Sequence, residues 1–211
     1  MARVLVSCQK ESFRHVELGC LEKDLLIDLS ELPGAPSEKN CYADIEAVFD
    51  YLTRERKVPT EHIILFGRSL GSGPSCYLAA KCSEEGKPIA GLILLSPFTS
   101  VYRLVVPQFI GVTLLGDAFP NIDRIRDIKV PIFIAHGEAD NIVPREHGRA
   151  LREALPRRRV EFFSHPQMTH NDIDEEVEDE MMRSMNDFLD YYVLARRLWM
   201  KPAVARLHVC K

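Results

Sequence analysis

Short apolar runs alternate along the chain with stretches in which apolar residues recur every three or four positions. Residues 2–7, 25–29, 63–66, 90–95, 130–135 and 160–163 have the length and composition of buried strands. Between them Ser37 opens a helix with Ile45, Val48, Phe49 and Leu52 on one face, and the small residues 75–80 suit a second helix. Ile173, Val177, Met181, Met185, Phe188 and Tyr192 form the stripe of a long final helix that packs on a sheet. The acidic residues from Asp172 to Glu180 are expected to be its solvated N-terminal half, complementing the helix dipole. Strand and helix alternate throughout with no repeat and no low-complexity linker. That order predicts an α/β fold, a mainly parallel sheet with helices on both faces.

One motif turns this pattern towards chemistry. The apolar run 63–66 leads directly into Gly67-Arg68-Ser69-Leu70-Gly71 and then into the second helix. A strand that turns sharply into a helix calls for glycines around the central residue, and such a turn lifts a serine hydroxyl above the sheet at a helix N-terminus. Ser69 is therefore a candidate nucleophile, the alternative being a serine that merely shapes the turn. A hydroxyl attacks well only when a histidine takes its proton and a carboxylate orients that histidine. The run 130–135 continues into His136-Gly137-Glu138-Ala139-Asp140, which places Asp140 just past a strand's carboxyl end, and Met168-Thr169-His170-Asn171-Asp172 lies between the next strand and the final helix. Asp140 and His170 are the expected acid and base, in the chain order Ser, Asp, His of α/β-hydrolases.

Each partner has a competitor. Glu138 could replace Asp140, or either carboxylate could cap the helix after Pro144. His165 lies close behind its strand and is read as structural, and His136 as making local hydrogen bonds at a strand end. His15, His62, His147 and His208 have no nucleophile near them in this topology. No pair of histidines or cysteines stands at zinc-ligand spacing with a matching second pair, so neither a metal nor a cofactor is expected.

Composition sets the outer bounds. With 211 residues, 46% of them hydrophobic, the chain can bury one substantial core, read as a single domain over residues 1–197 followed by a tail at 198–211. A net charge of -4 and a pI near 6.0 give no overall attraction for nucleic acid. The six cysteines are irregularly spaced in a chain too long to need disulfide staples, which favours a reducing, cytoplasmic compartment. The N-terminal residues lack the apolar stretch of a secretory signal, and no segment reads as a membrane span.

Taken in order, Pro36-Ser37-Glu38-Lys39-Asn40, Tyr42-Ala43-Asp44-Ile45, the Ser69 turn, Leu95-Ser96-Pro97-Phe98-Thr99-Ser100, Asp117-Ala118-Phe119-Pro120-Asn121-Ile122-Asp123, His136-Gly137-Glu138-Ala139-Asp140 and His170-Asn171-Asp172 form a more specific signature than the turn alone. Over residues 36–192 the chain resembles the alpha/beta hydrolase domain-containing protein 17 family. That resemblance implies an α/β-hydrolase fold and a thioesterase that removes palmitoyl groups from proteins. It also implies Ser69 as nucleophile, Asp140 as acid and His170 as base. Its partners would be acylated proteins or small acyl esters, reached from the cytosol or by peripheral contact with a membrane face. A carboxylesterase, a serine peptidase, or a catalytically weak hydrolase fold that acts by binding remain open beside it.

The N-terminal part departs from the family pattern. Residues 1–35 read as divergent or truncated, lacking the first strands, and Cys8-Gln9-Lys10-Glu11 follows the strand at 2–7 without the glycine-bearing loop that helps form an oxyanion hole. The Leu70 N–H is the expected first donor, with the Gln9 or Lys10 N–H as the candidate second. Losing one donor typically costs about a hundred- to a thousandfold in rate. The apolar stretch 104–115 follows the strand beside the turn, where it would line an acyl groove, touch a membrane or pack in the core, with Phe98, Phe109 and Ile110 as candidate pocket residues. Arg157-Arg158-Arg159 is read as a solvated loop.

Overall fold

The computed structural model describes residues 4–7, 27–28, 37–106 and 116–194. Six parallel strands form one sheet in the order β2-β1-β3-β4-β5-β6: β1 Val4–Ser7, β2 Ile27–Asp28, β3 Ile63–Arg68, β4 Gly91–Leu95, β5 Ile132–Gly137 and β6 Val160–His165. The helices are α1 Glu38–Asp50, α2 Ser72–Glu84, α3 Val101–Val105, α4 Asn121–Arg124, α5 Glu146–Glu153 and α6 Glu175–Phe188. The connection from β1 runs outward to β2, whereas β3, on the other side of β1, leads to β4. Such a reversal opens a crevice beyond the carboxyl ends of the two central strands, and Ser69 stands there.

Alternation along each strand divides the core. Ile63, Leu65, Leu92, Leu94, Ile132 and Ile134 face one side, packing with Ile45 and Phe49 of α1, Cys76, Leu78 and Ala79 of α2, and Leu151 of α5. Ile64, Phe66, Ile93, Leu95, Phe133 and Ala135 face the other and meet Val177, Met181, Met185 and Phe188 of α6. A strand buried on both faces needs apolar residues at every position, which is why these segments read as continuous apolar runs. Ser37 caps α1 by accepting from the Asn40 N–H at 3.1 Å. Cys76 and Cys82 behave as small hydrophobes, their thiols pushed by burial to about 12 and about 11.

Several boundaries differ from the sequence expectation. β5 extends to Gly137 and β6 to His165, so His136 and His165 are strand residues. Both strands are longer because they pair in register through Gly137 and His165, a long-range constraint that side-chain pattern does not report. α6 begins at Glu175, leaving Ile173 before it but packed on the same cluster. Neither Asp140 nor Glu138 caps α5, whose N-cap residue is Arg145. Arg159 sits in a short 3-10 turn and donates to the Ile128 carbonyl at 2.6 Å, so that position is tied down rather than simply solvated. Residues 9, 109 and 110, and the tail from 198, lie outside the described residues.

The separate sequence blocks converge around the helix end behind Ser69. The Glu38 carboxylate accepts from the Phe119 N–H at 2.8 Å, and buried Asn121 donates through Nδ2 to Ser72 Oγ at 3.2 Å and to the Phe98 carbonyl at 3.0 Å. Arg103 and Asp117 form a buried ion pair at 3.5 Å. Buried His147 of α5 meets the Thr99 N–H at 3.2 Å and the Thr99 hydroxyl at 2.8 Å, tying the β4 loop to α5.

A Cβ at Gly137 would stand 2.0 Å from the Met168 carbonyl oxygen, a backbone atom that cannot rotate away. Gly137→Ala should therefore lower the unfolding free energy by about 1–3 kcal/mol or more, as overpacking does, and urea unfolding that matches wild type would refute this. Burial lowers the His147 imidazole to about 4. The unfolded chain then binds the extra proton first, so stability should fall as pH drops from 6.5 to about 4, and no further below that on this group's account. The loss attributable to His147 is at most about 3 kcal/mol, with His136, also lowered by burial, adding in the same direction. Unfolding measured across that range should show a shallower pH slope in His147→Gln than in wild type.

Candidate active site

β3 delivers Ser69 to the crevice through a turn that tolerates no side chain at Gly67. A Cβ there would lie 2.6 Å from the Gly71 carbonyl oxygen and 2.8 Å from Ser72 Cα. Ser69 itself adopts φ 48, the left-handed region unusual for a residue with a Cβ. Three contacts hold it there: Ser72 Oγ donates to the Ser69 carbonyl at 2.6 Å, Ser75 Oγ to the Phe66 carbonyl at 3.3 Å, and Asn121 reaches Ser72 from α4. A short 3-10 turn over Ser69–Gly71 then runs into α2. The Leu70 N–H lies in the first helical turn, where backbone donors have no intrahelical acceptor.

His170 and Asp140 arrive from the ends of β6 and β5. Their loops are stitched together, Glu138 N–H donating to the His165 carbonyl at 3.0 Å and Ala139 N–H to the Met168 carbonyl at 3.1 Å. Thr169 Oγ1 and N–H both bond the Asp172 carbonyl, at 3.0 and 3.1 Å, which folds the His170 loop on itself. His170 Nδ1 lies 2.8 Å from Asp140 Oδ2, and His170 Nε2 lies 3.0 Å from Ser69 Oγ. A carboxylate can only accept, so Nδ1 carries a hydrogen towards Asp140, and in that tautomer of the neutral ring Nε2 accepts from the Ser69 hydroxyl.

Asp140 is anchored on its other oxygen, Oδ1 accepting from the Ile142 N–H at 3.0 Å and the Val143 N–H at 2.8 Å. Burial opposes its charge, yet the hydrogen bonds from His170, Val143 and Ile142 outweigh that and hold the carboxyl below its ordinary value. Buried His136 stands behind it, Nε2 donating to the Val143 carbonyl at 2.8 Å and lying 3.6 Å from Asp140 Oδ2. Desolvation lowers the His136 imidazole, which favours a neutral ring that braces the Asp140 loop. Glu138 takes a different path: it pairs with Arg145 at 2.8 Å and Arg149 at 3.4 Å and accepts from Ser164 Oγ at 3.0 Å. The carboxylate that meets His170 is thus Asp140, while His165 Nδ1 accepts from the Gln167 N–H at 3.3 Å.

Of the pocket candidates, Phe98 is buried and clusters with Phe119 and Val143. Leu104 joins that cluster from α3, whereas Val105 is exposed. Leu70 and Ile142 are half-exposed on the loops that carry Ser69 and Asp140. A cavity of about 530 Å³ lies apart, lined by residues that include Glu38, Tyr42, Glu46, Tyr77 and Arg124, whose polar groups largely bond one another. Among the described residues no group of three or more histidine, cysteine or acidic side chains could hold a metal ion, and no helix is long and apolar enough to cross a membrane.

The supporting contacts of the site were not assigned from the motifs. The Ile142 and Val143 amides act through backbone, so no residue type announces them. His136 carried a signal, an imidazole two positions before Glu138 in a buried strand, but its partner Val143 is set by the loop. Arg68 was visible inside the motif, and a charge at the end of an apolar strand must find a partner. That partner is the His170 loop, Nη2 donating to the His170 carbonyl at 2.6 Å and to Asn171 Oδ1 at 3.1 Å.

Residues 29–190 match the dienelactone hydrolase family. The chain is 37% identical over 165 residues to alpha/beta hydrolase domain-containing protein aho-3 of Caenorhabditis elegans, covering 78% of this chain and 47% of that protein. It is 40% identical over 141 residues to human alpha/beta hydrolase domain-containing protein 17B, covering 67% of this chain and 46% of that protein. The chain therefore spans about half the length of the curated relatives it matches. Among solved structures it is similar to an esterase from a Rhodococcus species, with a TM-score of 0.66 and 18% identity over 90% of this chain and 91% of that one. It is also similar to an esterase domain from Rhodothermus marinus, with a TM-score of 0.61 and 16% identity over 91% and 87% of the two chains. At those identities the likeness establishes the fold. The strand order, the turn at Ser69 and the family match agree: the chain belongs to the dienelactone hydrolase family of the α/β-hydrolase fold and is similar to alpha/beta hydrolase domain-containing protein 17 relatives.

Proposed function

We propose that the protein is a serine hydrolase that cleaves acyl thioesters or esters, with palmitoyl-protein thioesters as its substrate class. The observation that carries this reading is the unbroken relay from Ser69 Oγ to His170 Nε2 at 3.0 Å and from His170 Nδ1 to Asp140 Oδ2 at 2.8 Å. Ser69 attacks the acyl carbonyl carbon while His170 Nε2 takes the hydroxyl proton, and the Asp140 carboxylate offsets the imidazolium that forms. The carbonyl oxygen becomes an oxyanion beside the Leu70 N–H. Collapse breaks the carbon–sulfur bond, His170 returns the proton to the leaving thiolate, and an acyl-Ser69 ester remains. Water then attacks that ester with His170 again as base, releasing the fatty acid and restoring the hydroxyl.

The similarity to the domain-containing protein 17 relatives supports the thioester class, together with the exposed apolar side chains of Leu70 and Ile142 beside the relay. Peripheral contact with a membrane face belongs to the same proposal, since acylated proteins reside there. A thiolate leaves more readily than an amine and asks less of the acid and of the oxyanion donors. A hole built chiefly on the Leu70 N–H, with Gln9 as the candidate second donor, therefore suits a thioester better than an amide.

Fluorophosphonate labelling and acyl-ester hydrolysis should both disappear in Ser69→Ala while its melting temperature stays close to wild type, because the change removes one partly buried hydroxyl and leaves the backbone of the turn unaltered. Turnover persisting in a folded Ser69→Ala protein would remove the nucleophile from Ser69. Asp140→Asn should lower kcat by orders of magnitude, on the order of 10⁴ in a comparable triad, because the imidazole tautomer would be set wrongly.

Substrate class is tested by comparing a palmitoyl-thioester peptide, a short-chain ester and an aminoacyl amide on the purified chain. The expected order of kcat/KM is thioester above ester, with the amide near background, and Gln9→Gly should change thioester hydrolysis if that backbone supplies a donor. Amide cleavage exceeding thioester cleavage would favour a peptidase, and inactivity on all three without probe labelling would favour a protein that only binds.

A further inference from the structure

Arg68 ends the buried apolar strand β3 with a cation directly before Ser69. Its side chain turns towards the loop between β6 and α6, where Nη2 donates to the His170 carbonyl at 2.6 Å and to Asn171 Oδ1 at 3.1 Å. The Nε–H is buried without a hydrogen-bond partner. Burying part of a guanidinium in this way is unfavourable for the fold alone, and among the described residues its side-chain hydrogen bonds go to the His170 loop. The contact joins the residue before Ser69 to the backbone of His170 itself, across 102 positions of sequence.

The geometry points to Arg68 as a positioning residue that sets the distance from His170 Nε2 to Ser69 Oγ. The two bonds fall on successive residues of the loop, so they restrict its rotation as well as its height above Ser69. Elsewhere the loop is held by Met168 bonding to Ala139, just past β5, and by Thr169 bonding to Asp172. Those contacts anchor it to the acid's side of the site or to itself, and among the described bonds the two from Arg68 are the ones that tie it to the nucleophile's strand. Hydrogen bonds from a charged donor are stronger and more directional than neutral ones, which suits a contact that must hold an imidazole within about half an ångström.

This inference rests on the Ser69–His170–Asp140 reading, and the experiment separates the two. Arg68→Ala, Arg68→Lys and Asn171→Ala are made in the full chain and compared with wild type and Ser69→Ala. In Arg68→Ala, kcat on an acyl thioester should fall by about ten- to a hundredfold, the range for losing a hydrogen bond from a charged donor, with KM within about twofold since Arg68 does not meet the substrate. Added guanidinium at concentrations below those that unfold the chain should restore part of that loss, which a merely structural defect would not permit. Arg68→Lys should lie between the two, because its ammonium keeps the charge but lacks the reach and planar donor geometry of the guanidinium. Asn171→Ala should add little to Arg68→Ala, because both remove the same bond.

Amide hydrogen exchange across Thr169, His170 and Asn171 supplies a readout independent of catalysis and should accelerate in Arg68→Ala. If Arg68→Ala does not fold, Arg68→Gln is judged by the same criteria. Wild-type kcat together with wild-type exchange in a folded Arg68 variant overturns the proposal while leaving the triad reading intact. Full activity in Ser69→Ala overturns the triad reading and this proposal with it, whereas accelerated exchange at the loop would then mark Arg68 as a structural tether only.

Discussion

The site depends on one backbone constraint, the left-handed conformation of Ser69 at the junction of β3 and α2. A non-glycine residue at φ 48 costs of the order of 1 kcal/mol or more, and it persists only where its surroundings over-determine it. Here they do. The absence of a Cβ at Gly67 lets the helix approach within contact distance of the strand, and Ser72 and Ser75 bond back to the carbonyls on either side of the turn. Relaxing Ser69 to an ordinary conformation would break these contacts and lower its hydroxyl away from His170.

The rest of the molecule supports that junction from a distance. Asn121 reaches it from α4, and the same helix follows Phe119, whose N–H is held by Glu38 at the start of α1. Arg103 and Asp117, paired out of water, fix the approach to that segment. Breaking such a buried pair on one side costs several kcal/mol, so it commits the segment to one geometry even where it adds little net stability. On the other flank, β5 and β6 pair through their last residues, which brings the loops of Asp140 and His170 side by side. The electrostatics follow from the same packing. Asp140 is stripped of water but surrounded by donors, so it keeps its charge, whereas for His136 and His147 the cost of burial outweighs the nearby carboxylates and favours the neutral ring.

Much of this was written in the residues themselves. The continuous apolar runs of β3, β4 and β5 announce strands buried on both faces, since a strand with one solvated face would have to alternate, and the stripe of Val177, Met181, Met185 and Phe188 announces a helix with one buried side. Gly67, Ser69 and Gly71 carry their chemistry in their identities: one lacks a Cβ where none fits, and another bears the hydroxyl. Asp140 and His170 were distinguishable from Glu138 and His165 only by position relative to the strand ends.

What residue types could not decide was every relation that depends on distance in space. Which carboxylate meets His170 is settled by the register of β5 against β6 and by the Ile142 and Val143 amides, groups that every residue but proline possesses. Where β5 and β6 end is settled by their pairing, so His136 and His165 fall inside strands although the apolar runs stop before them. That Arg68 bonds the backbone of His170 follows from two loops meeting above the sheet, a contact between residues 102 positions apart. Local sequence encodes hydrophobic period and backbone permissiveness because these act over a few neighbouring residues. The register, the caps and the burial of charge emerge only when the sheet closes, because each is a property of a pair that the chain brings together.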